Sequence, residues 1–126
     1  MRSSIAALMI LVSCSAFSQS DWVQFERGEN GDKYYMRSGS LHTAGQYKRV
    51  WSLWDYHKPG KDGDRSVISL TEYNCNTRQH RVLQSTFYKS QMGRGATGES
   101  SITPSDWKYV IPGSVGETAL EVACGN

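Results

Sequence analysis

A chain of 126 residues with 14 basic against 12 acidic side chains and a formal net charge of +2 has no charge excess with which to hold nucleic acid or an anionic membrane surface. Its length fits one small unit with a single core. Charged recognition, if the chain performs any, must come from a local patch.

The first twenty residues, MRSSIAALMILVSCSAFSQS, place Arg2 ahead of an apolar run from Ile5 to Val12 and then small residues, the three-part layout of a secretory signal peptide. That run is too short to cross a hydrocarbon layer, which takes roughly 20 helical residues. Two exits from the leader compete. Small residues at Ala16 and Ser18 suit cleavage after Ser18, and Ser20 offers a similar cut just before Asp21. Alternatively LVSC, Leu11 to Cys14, resembles a bacterial lipobox, whose cysteine becomes the lipidated first residue of the mature chain. A lipid on Cys14 is then the one route to a membrane. Both exits take Cys14 out of the folding problem and leave Cys75 and Cys124, an even pair that in an oxidising compartment is most simply a disulfide. Closing a loop of about 50 residues in this way restricts the unfolded chain by about 4 kcal/mol.

From Trp22 onward the elements alternate with turn chemistry. WVQFE is a short strand, GENGD at Gly28–Asp32 a turn, and KYYMR at Lys33–Arg37 a second strand, followed by a loop around Gly39 and Gly45. YKRVWSLWDY, Tyr47–Tyr56, rich in β-branched and aromatic residues, is the strongest strand signal, and HKPGKDGD at His57–Asp64 ends it. Strands at Ser66–Asn74 and Arg81–Lys89 follow, joined by CNTRQH. The period then changes. Ser114 and Glu117 have capping-box spacing, Ala119, Leu120, Val122 and Ala123 follow, and Gly125 sits at the stop, which predicts a helix from Val115 to Cys124. The expected fold is α+β, an antiparallel sheet of about five or six strands with one short C-terminal helix packed on it and tied to it by Cys75 and Cys124. Trp22, Trp51, Trp54 and Trp107 are expected to supply much of the core.

No constellation in the chain carries catalysis. GRGATG, Gly93–Gly98, spells a dinucleotide fingerprint, but that pattern works only between a strand and a helix, and ESSITPSDW follows it; a flexible glycine loop accounts for it better. His42, His57 and His80 are scattered, so no metal site is expected, and Asp62-Gly63-Asp64 lacks the remaining calcium ligands. No serine has a nucleophile elbow. Neither a cofactor nor an enzymatic activity is assigned. One basic cluster stands out: Arg78, His80 and Arg81 with Lys48 and Arg49, which could gather into a binding patch for acidic protein segments or sulfated glycans, or serve only as solvated side chains that keep strands from pairing edge to edge.

Taken together, YYMRSGSL at Tyr34–Leu41, RVWSLWDY at Arg49–Tyr56, RSVISLTEYNC at Arg65–Cys75, RVLQSTFY at Arg81–Tyr88, MGRG at Met92–Gly95 and WKYVIPGSVGETALEVAC at Trp107–Cys124 resemble the bacterial surface-adhesin protein E family. The resemblance runs from Trp22 to Cys124 and makes 21–126 one adhesin E-like domain. Two departures remove a carboxylate: Arg37 and Asn74 stand where the family pattern has aspartate. The resemblance implies an exported Gram-negative envelope protein, in the periplasm or on the cell surface, that binds extracellular matrix or serum proteins, with self-association through an exposed sheet edge left open. The alternative is a periplasmic small-ligand-binding or housekeeping protein that uses the sheet face under the helix and does not adhere.

Overall fold

The computed structural model describes residues 21–125. The expected leader, with the candidate cleavage positions Ser18 and Ser20 and the candidate lipobox cysteine Cys14, lies outside the described residues. Alternating segments form the strands β1 (Trp22–Arg27), β2 (Lys33–Arg37), β3 (His42–Ala44), β4 (Tyr47–Asp55), β5 (Ser66–Asn74), β6 (Gln79–Tyr88), β7 (Thr97–Ser101) and β8 (Lys108–Tyr109). A 3-10 turn at Gln91–Gly93 and the helix α1 (Val115–Cys124) complete the elements. All pairings are antiparallel. The sheet runs β1-β2-β4-β5-β6-β7, with β3 hydrogen-bonded to β4 and β8 to β6.

The sheet therefore has eight strands rather than the expected five or six. The additions are β3, β7 and β8, of three, five and two residues. Segments this short, HTA, TGESS and KY, carry no periodic signal of their own. They become strands because β4 and β6 present unpaired backbone groups beside them.

The helix bounds, Val115–Cys124, and its terminal glycine match the sequence signals. Ser114 Oγ accepts the Glu117 N–H at 3.3 Å, and Gly125, at φ 78°, closes the other end by donating its N–H to the Glu121 carbonyl. The capping box is displaced by one position, since the Glu117 carboxylate accepts from the Gly113 N–H while the Ser114 N–H donates to the Ile111 carbonyl. Ala119, Leu120 and Ala123 face the sheet and close the main core with Met36, Val50, Tyr73 and Val110. Cys75 and Cys124 are bonded, with their Cα atoms 5.8 Å apart, so the end of α1 is fastened to the end of β5.

The tryptophans do not build this core. Trp22, Trp51 and Trp107 are half-buried and Trp54 is 42% exposed. Two alanines on the packing face of α1 let the helix sit close to the sheet, and that spacing suits valine and leucine rather than indole rings.

Strand register sorts the long strands into two faces. Val50, Ser52 and Trp54 on β4 stand opposite Thr71, Ser69 and Val67 on β5 and share the helix side. Arg49, Trp51, Leu53 and Asp55 stand opposite Glu72, Leu70, Ile68 and Ser66 on the other side. There the 3-10 turn is pinned over Leu53 and Ile68. Asp55 Oδ1 accepts the Met92 N–H at 2.8 Å, Ser66 Oγ accepts the Gly93 N–H at 2.9 Å, and Ser66 donates to the Ser90 carbonyl. A Cβ on Gly93 would lie 2.5 Å from Ile68 Cδ1, and its φ is +67°. The first glycine of GRGATG is thus a close-approach residue, and the segment is tied down rather than left as a loose loop.

Candidate functional site

The five basic residues singled out in the sequence do not form one patch. Strand alternation sends Arg49 and Arg81 to one face and Lys48 and His80 to the other, while Arg78 sits in the hairpin turn. Arg78 Nη2 reaches Glu117 Oε2 at 3.2 Å and Glu121 Oε1 at 3.9 Å, so it braces α1. Lys48 Nζ donates to Thr43 Oγ1 at 2.7 Å. His80 packs against Tyr73, with ring centroids 6.2 Å apart, and under Gly116 at the start of α1. Burial, aided by the neighbouring Lys108 charge, holds its imidazole below the ordinary histidine range.

Arg49 and Arg81 do come together, across a residue the sequence did not flag. Glu72 is fully buried, and its two carboxylate oxygens accept from Arg49 Nε at 2.6 Å and Arg81 Nε at 2.9 Å. The three residues are one row across β4, β5 and β6. Trp107 lies over the Arg81 guanidinium at 4.6 Å, and Tyr47 stacks beside Trp107 at 5.0 Å. Two cations on one anion leave the row with a surplus positive charge, and both arginine side chains remain partly exposed, at 37% and 28%.

The helix side carries a second feature. A cavity of about 360 Å³ opens between the first turn of α1 and the sheet, lined by Phe25, Tyr34, Trp54, Tyr73, His80 and Val115 among others. A second, of about 340 Å³, continues along the uncovered sheet toward β7, and a third, of about 440 Å³, lies beside Asn30, Asp32 and Lys58. Trp54 borders all three. Its Nε1 donates to Asp32 Oδ2 at 2.9 Å, and the same carboxylate accepts from the His57 N–H at 2.8 Å and from Asn30 Nδ2 at 3.1 Å. Burial alone would raise the Asp32 carboxyl, but these donors outweigh it and hold the group below the ordinary aspartate value. Tyr34 and Tyr56 flank the indole at 5.4 and 5.1 Å.

Among the described residues no group of three or more histidine, cysteine or acidic side chains is placed to hold a metal ion, and no helix is long and apolar enough to cross a membrane. Both residues that depart from the family pattern have found partners. Arg37 Nε pairs with Asp21 Oδ2 at 3.1 Å, and Asn74 Oδ1 accepts from the Asn76 and Thr77 N–H groups, so the amide keeps the turn cap that an aspartate would make.

Residues 22–125 match the protein family described as surface-adhesin protein E. Among solved structures, crystal form II of Haemophilus influenzae protein E is similar at 18% identity and a TM-score of 0.63, covering 85% of this chain and 89% of that one. Its selenomethionine form is similar at 19% identity and a TM-score of 0.62, covering 86% and 88%. At such identities the likeness speaks for the fold. No curated protein sequence matches the chain.

Proposed function

The chain belongs to the surface-adhesin protein E family, and from that premise we propose that it is exported through its leader, displayed on a Gram-negative cell surface, and grips extracellular host proteins there. The observation that carries this reading is the Arg49–Glu72–Arg81 row beside Trp107 and Tyr47. Arginine, tryptophan and tyrosine are the residue types that most often anchor protein interfaces, because they bring large contact area and oriented donors. The buried carboxylate fixes both guanidiniums in place before any partner arrives, which lowers the ordering cost of binding. The surplus charge favours an acidic segment on the partner. The family is an adhesin family rather than an enzyme family, and no residue here is given a catalytic role.

The test is adhesion of cells that carry the full chain to immobilised matrix and serum proteins. Binding is expected to weaken as salt is raised. It should also weaken in Trp107→Ala and in Arg81→Lys, which keeps the charge but loses the planar fork. Protease treatment of intact cells that leaves the chain uncut would overturn surface display. Intact mass of the mature protein then separates cleavage near Ser18 or Ser20 from lipidation at Cys14.

A further inference from the structure

We propose that Trp54 is the stacking platform of a binding site for a neutral oligosaccharide, on the helix side of the sheet beyond the reach of α1. This site lies on the opposite face from the arginine row and stands or falls independently of the adhesion reading. A large ring that is 42% exposed on a central strand is unusual, because such a ring gains most by burial. It is also held still. The bond from Nε1 to the buried Asp32 fixes one edge, and Tyr34 and Tyr56 stand on either side. A sugar ring has an apolar face of C–H bonds that can lie on such an indole, with hydroxyls projecting at its rim.

The surroundings suit those hydroxyls. The cavity running from Trp54 toward β7 has an apolar floor of Val67, Val82 and Phe87 and is rimmed by the hydroxyls of Ser69, Ser85, Ser101, Thr103 and Ser105, and no charged residue lines it. In the adjoining cavity, Ser52 Oγ is buried without a hydrogen-bond partner. Neutral hydroxyls around a floor of aromatic rings and valines match a ligand that is polyhydroxylated at its rim, uncharged and apolar on one face. Three cavities in contact at Trp54 give room for more than one sugar unit.

Other occupants fit less well. An extended peptide would bind by adding a strand to a free sheet edge, but β4 is paired on one side with β5 and on the other with β2 and β3. An acyl chain could lie on Val67, Val82 and Phe87, but it would leave the hydroxyls of Ser69, Ser85 and Ser101 and the unpaired Ser52 Oγ desolvated without partners. A sulfated or sialylated glycan would need cations, and Lys58, beside Asp32, is the one basic residue bordering the three cavities apart from His80, which is held toward its neutral form.

The experiment presents the mature chain to a printed panel of neutral, sialylated and sulfated oligosaccharides, then titrates a retained neutral one while following tryptophan fluorescence. The expected result is retention of neutral oligosaccharides with an affinity insensitive to salt. Trp54→Ala should lose at least about tenfold in affinity, the scale of one stacked ring, while Trp54→Phe keeps most of it and Trp107→Ala all of it. Since Trp54→Ala also removes packing, Ser69→Ala, on the same face and bordering both adjoining cavities, serves as a milder variant and should weaken binding about fivefold, the value of one hydrogen bond. Retention of charged glycans alone, retention of none, or neutral binding unchanged in folded Trp54 and Ser69 variants overturns the proposal. So does a peptide that competes at Trp54 where no sugar does.

Discussion

The two ends of the helix-side face are built from the same strands and end in opposite states. At one end Val50 and Tyr73 lie under Ala119, Leu120 and Ala123, and the disulfide closes the corner. At the other, Trp54 and its tyrosine neighbours face solvent. Length explains the contrast. The ten residues of α1 span about 15 Å, whereas the nine residues of β4 or β5 extend about 30 Å. One helix of that size leaves part of a strand length uncovered, so the fold itself creates an open aromatic shelf beside a closed core. Burial at the closed end stabilises the molecule, and the open end is free to meet a ligand.

The largest expected effect lies at the closed end. Reducing the Cys75–Cys124 bond, or replacing both residues by serine, should cost about 4 kcal/mol and lower the thermal midpoint by roughly 15–30 °C. Equal melting curves with and without reductant would break the idea that the staple holds this end. Next, Leu120→Ala removes a fully buried side chain and should cost about 2–5 kcal/mol. The matched change at the open end, Trp54→Ala, should cost only about 1–2 kcal/mol, because a large part of that ring is already in water. Denaturant midpoints compare the two, and similar losses would erase the distinction between the ends. Ser114→Ala, which deprives the Glu117 N–H of its acceptor, should cost about 1 kcal/mol by the same measurement.

Acid separates the ends most finely. His80, at the closed end, binds fewer protons folded than unfolded, so its contribution is complete above its ordinary value of about 6.5 and is lost as pH falls through the lower folded value. Asp32, at the open end, is also lowered on folding. Its contribution is complete above about 3.9 and is lost only as pH falls further. Stability measured against pH should therefore fall in two steps, with His80→Gln abolishing the upper one and Asp32→Asn the lower. A single step unaffected by either change would show that neither group senses its surroundings as described.

The sequence carried the ends of α1 because a cap, an apolar period and a terminal glycine are local signals, each readable within a few residues of Ser114, Ala119 and Gly125. The five long strands were legible for the same reason, through alternation and the turns that bound them. The candidate binding surfaces were not. Lys48 and Arg49 are neighbours in the chain and lie on opposite faces of the sheet, while Arg49 and Arg81 meet through Glu72, a residue that looks like any other strand glutamate until β5 brings it between them. An acid centred between two basic strands is a signal only once the strand order is known.

The partner of Cys75, strand period and helix caps were written in the order of the amino acids, since each depends on chemistry within reach of a few bonds or on simple counting. Which charges pair, which tryptophan stays in water and which short segments become strands were decided by assembly. Those outcomes depend on what lies across the sheet or above it, on the register between distant strands and on how far a ten-residue helix can reach.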